Sequence, residues 1–153
     1  MLETPHVVVG AAIAFKVVNP ALAIPLALGS HFVLEKVPHW NPHLNTEKNK
    51  LGKVSAQSTK IVIFDVILSL ILGGSIAYMV LPNISHAITI LISSFVAALP
   101  DIVEGPYFFL DMKSKFIERW IKFQKAIQVD TSLIPGLFTQ AVTIVAAFLW
   151  ILK

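Results

Sequence analysis

The sequence predicts an all-α integral membrane bundle of about five helices, the first two short and hairpin-like, with one amphipathic helix lying in the membrane interface. Composition is the first ground: of 153 residues 56% are hydrophobic and 14% charged, and the mean hydropathy is +0.75. A soluble domain this small needs more polar surface than that. The second ground is three apolar runs, Ile61–Leu81, Ser85–Leu110 and Ser132–Leu152, of 21, 26 and 21 residues. At about 1.5 Å per residue each reaches across a hydrocarbon core roughly 30 Å thick. The third is charge placement, since ten of the 12 basic residues fall in two polar stretches on either side of the first two of these runs. Disordered chains, collagen-like fibres and soluble enzymes are excluded, and residues 1–153 read as a single transmembrane domain.

The region before the long runs is apolar but broken by Asn19-Pro20. Proline lacks an N–H and restrains its predecessor, so this pair reads as a turn between helices at about 4–18 and 20–38. The spans follow at 61–81, 85–110 and 132–152. Between the last two, Phe116, Ile117, Trp120, Ile121, Ala126 and Ile127 recur roughly along one helical face, with basic residues elsewhere. That pattern predicts an interfacial helix over about 113–128. Lys36, Lys48, Lys50, Lys53 and Lys60 flank one side of a two-span excursion and Lys113, Lys115, Arg119, Lys122 and Lys125 the other. Both stretches therefore lie on one side. The positive-inside rule makes that side cytoplasmic, with the N-terminus inside, in a multi-pass protein of the cell membrane.

The formal charge of +3 belongs to this topology, and the expected partner is the lipid bilayer, with no nucleic acid. The start Met-Leu-Glu-Thr-Pro-His has no basic n-region, so no cleavable signal peptide is expected. With no cysteine, a bound metal would have to use His, Asp and Glu.

Ionisable side chains inside a span cost at least a few kcal/mol, so each asks for a partner or a function. His6 opens the first helix. His31, Glu35 and His39 follow at intervals of four on the second, Asp65 lies in the third, and Asp101 and Glu104 lie late in the fourth. Residues four apart share a helix face, so His31 and Glu35 can converge. With the basic stretches cytoplasmic, all of these fall in the inner half of the bilayer, while His86 and Lys16 fall at the outer end. Taken singly, each is accounted for by a buried hydrogen bond or ion pair. Their common depth makes His6, His31, Glu35, His39, Asp65 and Asp101 a candidate set of metal ligands, of the N/O type suited to a divalent transition metal: zinc first, with manganese or iron as alternatives.

The strings Thr4-Pro5-His6 with Gly10, Ser30-His31-Phe-Val-Leu-Glu35-Lys-Val-Pro38-His39-Trp40, and Leu99-Pro100-Asp101 resemble the small prokaryotic membrane-bound metal-dependent hydrolases, in which short His and Pro-Asp motifs sit at transmembrane helix ends. Glu35 stands where the Ser-His-x-x-Leu-Asp pattern of that family has aspartate, and the family's His-Arg-Gly-x-Thr-His-Ser string is missing. The resemblance implies hydrolysis with a bound metal.

The expected function is thus a membrane-embedded metal-dependent hydrolase at the cytoplasmic interface, with Glu35 or Glu104 as general base. A site at headgroup depth favours a lipid or lipid-linked phosphate as substrate. The rival readings are a small cation or proton transporter and a structural membrane subunit with buried polar residues. Zincin, P-loop, nucleophile-elbow and dinucleotide motifs do not occur.

Overall fold

A computed structural model describes all 153 residues, and its helices are α1 (Glu3–Lys16), α2 (Pro20–Leu34), α3 (Leu44–Leu51), α4 (Ala56–Tyr78), α5 (Ile84–Ile102), α6 (Gly105–Phe109), α7 (Lys115–Ile127) and α8 (Leu133–Leu152). The fold is all-α, with eight helices where about five and an interfacial one were expected. The two additions are short and lie among the polar connections: α3 in the first, and α6 where the fourth span was expected to run on to Leu110. That span stops at Ile102. Pro100 cannot donate to the turn behind it, and Gly105-Pro106 starts a new short helix, so continuous hydrogen bonding fails there. α2 likewise stops at Leu34 rather than residue 38, because Pro38 disfavours helix at Val37. α4 starts earlier than expected, where the Ser55 side chain accepts from the N–H of Ser58 and closes its first turn.

Three helices, α4, α5 and α8, are long and apolar enough to cross a membrane. Their outward faces are apolar and unprotected, as with Phe64 and Leu70 at 68% and 70% exposure. This is a multi-pass membrane protein. α1 and α2, of 14 and 15 residues, are too short to span and form a hairpin turned at Asn19, whose side chain accepts from the N–H of Ala21.

The shorter arm of that hairpin is the centre of the molecule. α1 packs against α2, α4, α5 and α8, and Val8, Ala11, Ala12 and Ala14 are wholly buried. Lipid tails are as apolar as leucine, so these helices gain from close packing of small residues rather than from escaping water. A Cβ at Gly10 would lie 2.6 Å from Ala97 Cβ and 2.8 Å from the Ser93 carbonyl oxygen on α5. Of the adjacent glycines in α4, Gly73 is a close contact, its Cβ position 2.9 Å from Val7 Cγ1, whereas Gly74 faces open space.

The polar segments close one end of the bundle. Lys48 of α3, buried, pairs with Asp111 at 2.8 Å beyond α6, and holds that carboxylate below its usual range. Glu47 accepts from the Ser55 N–H at 2.8 Å and the Ser58 hydroxyl at 2.7 Å, which lowers its pKa and ties α3 to the start of α4. The segments after α2 and α7 run side by side, with the N–H of His39 on the Val129 carbonyl at 3.1 Å and the N–H of Thr131 on the His39 carbonyl at 2.9 Å.

Gly10→Ala should lower stability by about 1–3 kcal/mol, the usual cost of overpacking against backbone, while Gly74→Ala, which meets nothing, should leave it unchanged or slightly raised. Thermal unfolding of the two variants in detergent checks the contrast; equal melting temperatures would remove α1 from the centre of the packing.

Candidate metal centre

At the closed end of the bundle the backbone poses the first problem. α1 begins buried, and its opening N–H groups have no partners within the helix. Its own N-cap residue, Leu2, offers no side-chain acceptor. The acceptors come from other helices. The N–H of Leu2 donates to Gln140 Oε1 of α8 at 2.9 Å, and the N–H groups of Glu3 and Thr4 donate to the two carboxylate oxygens of Asp65 of α4, at 2.5 and 3.3 Å. The Thr4 hydroxyl adds a bond to Asp65 at 2.6 Å. The next residue is Pro5, which has no N–H to satisfy. Asp65 is therefore a cap supplied in trans, and both its oxygens are in use.

With α1 fixed, His6 meets His31 of α2, their rings stacked with centroids 4.1 Å apart. Each imidazole faces one oxygen of Asp101, at the end of α5: His6 Nε2 lies 3.8 Å from Oδ2 and His31 Nε2 3.8 Å from Oδ1. Glu35, capping α2, brings Oε1 to 3.1 Å from His6 Nε2 and also meets the main-chain nitrogen of Met1. Donor atoms of His6, His31, Glu35 and Asp101 all lie within 4.8 Å of one another, and the first three residues are buried.

These four suit a divalent metal. Tetrahedral ligands bound at about 2.0–2.2 Å stand roughly 3.3–3.6 Å apart, close to the separations seen between the nearest donors here. His31 is also held in the required tautomer, because its Nδ1 donates to the Ala97 carbonyl at 2.9 Å and leaves Nε2 turned inward. Three residues further along α5, the Pro100 carbonyl accepts from Trp120 Nε1 of α7 at 2.9 Å.

His39 stands outside the four. Past the end of α2 it no longer follows the helical spacing, and its Nδ1 donates to the Val37 carbonyl at 2.7 Å. Its Nε2 lies 3.7 Å from the other oxygen of Glu35 and accepts from Gln128 at 3.0 Å. Glu104 caps α6 and has a buried Oε1 without a partner. His86 bonds the Ala14 carbonyl at the far end of α1, away from the cluster.

Three glutamines and one glutamate escaped the sequence reading. Gln124 of α7 is buried, and its amide nitrogen lies 3.0 Å from His31 Nε2 and 3.1 Å from Asp101 Oδ1, so it closes the cluster from above. Gln128 holds His39, and Gln140 joins Leu2 to the Trp40 carbonyl, which its amide reaches at 2.9 Å. Glu3 carries a buried, unpartnered Oε2 at the same end. A polar residue on the apolar face of α7, for Gln124, and one inside a span, for Gln140, were the available signals.

Beside the cluster is a cavity of about 340 Å³, lined by Glu3, Glu35, Asp101, Glu104, Gln124 and Lys125 among others, with α3, α6 and α7 around it. The fold and cluster together define a membrane-spanning all-α protein with a buried His/His/Glu/Asp group suited to a metal ion. No family model, curated protein or solved structure matches the chain.

Because Asp65 serves α1 and the four donors serve one centre, the two roles should separate. Asp65→Ala should cost about 1–2 kcal/mol or more, as for a lost helix cap, while the metal content per folded molecule stays close to that of wild type. Thermal unfolding together with elemental analysis tests this, and a variant that keeps its stability but loses metal would make Asp65 a ligand.

Proposed function

We propose that the protein is a membrane-embedded metal-dependent hydrolase, acting at the cytoplasmic interface on a lipid or lipid-linked phosphate. The observation that carries this reading is the convergence of His6, His31, Glu35 and Asp101 beside a cavity of about 340 Å³ at the end of a membrane bundle. A structural ion-pair network needs no cavity next to it. The ligand set favours zinc, with manganese and iron as alternatives, and the family resemblance of the Thr-Pro-His, Ser-His and Pro-Asp strings supports the same chemistry.

A bound divalent metal would lower the pKa of a coordinated water toward neutrality and polarise a phosphoryl or acyl oxygen. The residues of the chain do the rest. His6, His31, Glu35 and Asp101 hold the ion, with the Ala97 carbonyl orienting His31. Glu35, a candidate for either role, would serve as a ligand, since it lies against His6. Glu104 is then the general base, because it lines the cavity and has an oxygen with no partner. It takes the proton from the attacking water as the water oxygen bonds to phosphorus, and returns it to the ester oxygen that leaves. Lys125, at the cavity wall, meets the anionic group. Gln128 holds His39 beside the far oxygen of Glu35. The site lies on the side of the basic stretches, so the positive-inside rule turns it, and the N-terminus, to the cytoplasm.

Protein purified without chelators should carry near-stoichiometric transition metal, and His31→Ala should lose most of it. Glu104→Gln should keep the metal while turnover of a phosphoester or acyl-lipid panel falls on the order of 10²- to 10⁴-fold. Elemental analysis that finds no metal in intact wild-type protein would sink the hydrolase reading.

The orientation is tested by labelling from either side. The chain has no native cysteine, so Lys50→Cys and Lys122→Cys report cleanly. Both should react with an impermeant maleimide only from the cytoplasmic face; reaction from opposite faces would break the topology.

A further inference from the structure

A second space lies beside the first. Between α4 and α5 lies an apolar groove of about 200 Å³ whose floor is Val7 of α1 and whose walls include Leu70, Leu91 and Phe95. It shares Glu3, Val66 and Ile102 with the polar cavity, so the two adjoin at the level of the candidate metal centre. From Val66 to Gly74, eight residues along α4, the groove reaches about 12 Å from the cavity toward the bilayer centre. The close approach of Gly73 to Val7 keeps its floor flat, and Gly74 leaves its far end open. Two polar atoms mark it as more than a packing defect. Ser94 is 6% exposed, lies across from Gly73 with its hydroxyl 3.5 Å from the Cβ position there, and has no hydrogen-bond partner. Glu3 Oε2, also buried and unpartnered, stands where groove and cavity meet.

We propose that this groove holds the alkyl chain of the substrate, a lipid phosphate whose headgroup enters the polar cavity while its chain lies between α4 and α5. The proposal rests on the hydrolase reading and adds to it the place where the substrate's chain is bound. An apolar channel that begins at carboxylates and a metal centre and ends in the bilayer matches a molecule with a phosphate at one end and a hydrocarbon chain at the other. A water-soluble phosphoester would leave the groove with nothing to contact, and an uncharged lipid would leave Lys125 and the metal centre without an anion.

The test uses two photoactivatable probes of equal chain length in the purified, metal-loaded protein in nanodiscs: a diazirine-bearing alkyl phosphate and the corresponding diazirine-bearing alcohol. Mass-spectrometric mapping should place the phosphate probe's adducts on α4 from Ser69 to Gly74 and on α5 from Leu91 to Ala98. They should exceed those of the alcohol there by about tenfold, the gain expected when headgroup binding holds the chain in place. Gly74→Phe should cut these adducts about tenfold by filling the groove, since a side chain at Gly74 meets no neighbour. Gly29→Phe, equally free of neighbours but on α2, should leave them unchanged. Equal labelling by phosphate and alcohol, or wild-type adducts spread over all the lipid-facing helices, overturns the proposal without relying on any variant to fold. The two readings part cleanly. Groove adducts specific to the phosphate with no turnover by metal-loaded protein keep the chain site and reject the hydrolase. Turnover of short water-soluble phosphoesters as fast as long-chain ones keeps the hydrolase and rejects the groove.

Discussion

The buried start of α1 is the constraint on which the rest depends. A helix that begins inside a membrane protein cannot leave its first N–H groups to water, and each one unpaired would cost a few kcal/mol. Asp65 and Gln140, from two different spans, satisfy them. Those bonds fix α1 in depth and rotation relative to α4 and α8, and they do so at Leu2 to Thr4, within one turn of His6. The position of the first histidine is thereby set by backbone hydrogen bonding before any metal is considered. Gly10, one helical repeat further along, then sets how closely α5 and its Asp101 approach.

The same logic of satisfied polar groups runs through the roof of the site. Towards the end of α5 the Ala97 carbonyl accepts from His31 and the Pro100 carbonyl from Trp120. One bond orients a candidate ligand and the other docks α7. Gln124 follows from that docking, one turn beyond Trp120, with its amide against His31 and Asp101. α7 is thus a covering helix as well as an amphipathic one: its aromatic residues Phe116 and Phe123 are exposed, as suits the interface, and its underside carries the polar contact. Glutamine is a fitting choice there, since its amide can donate to a carboxylate or an imidazole without adding charge to an already crowded group.

How much of this was legible depended on what each residue's signal encoded. Hydropathy gave the long helices because crossing a bilayer requires a run of apolar residues whatever the packing. The spacing of His31 and Glu35, and the common depth of His6 and Asp101, brought four donors together because depth and helix face are both readable from chain position. Depth alone could not tell a ligand from a cap, and Asp65, at the same level, turned out to serve the backbone of α1. His39 stands outside the group of four for a local reason: the interval of four means a shared face only while the helix continues, and α2 ends before Pro38. The glutamines were invisible to a search for charge. α3 was missed because a short helix in a polar connection has no hydrophobic period to show, and its placement depends on tertiary bonds such as Lys48 to Asp111; α6 was missed because its apolar residues read as a continuation of the span before it.

Stability and chemistry are divided unevenly among the polar residues at this end. Asp65, Gln140 and Thr4 spend every hydrogen bond on the backbone or on each other, and none of their donor atoms belongs to the metal group. Glu104 and Glu3 do the reverse, each keeping a buried oxygen with no protein partner. An unpaired buried carboxylate oxygen is costly for a fold to maintain, and nothing in the packing of α1 requires either one. Both line the cavity, and Glu3 also stands at the mouth of the groove between α4 and α5. Asp65 lines the same cavity, but α1 takes both of its oxygens, so the acceptors left open there are those of Glu3, Glu104 and Gln124. A network kept only for helix packing gains nothing by leaving such acceptors open beside a cavity.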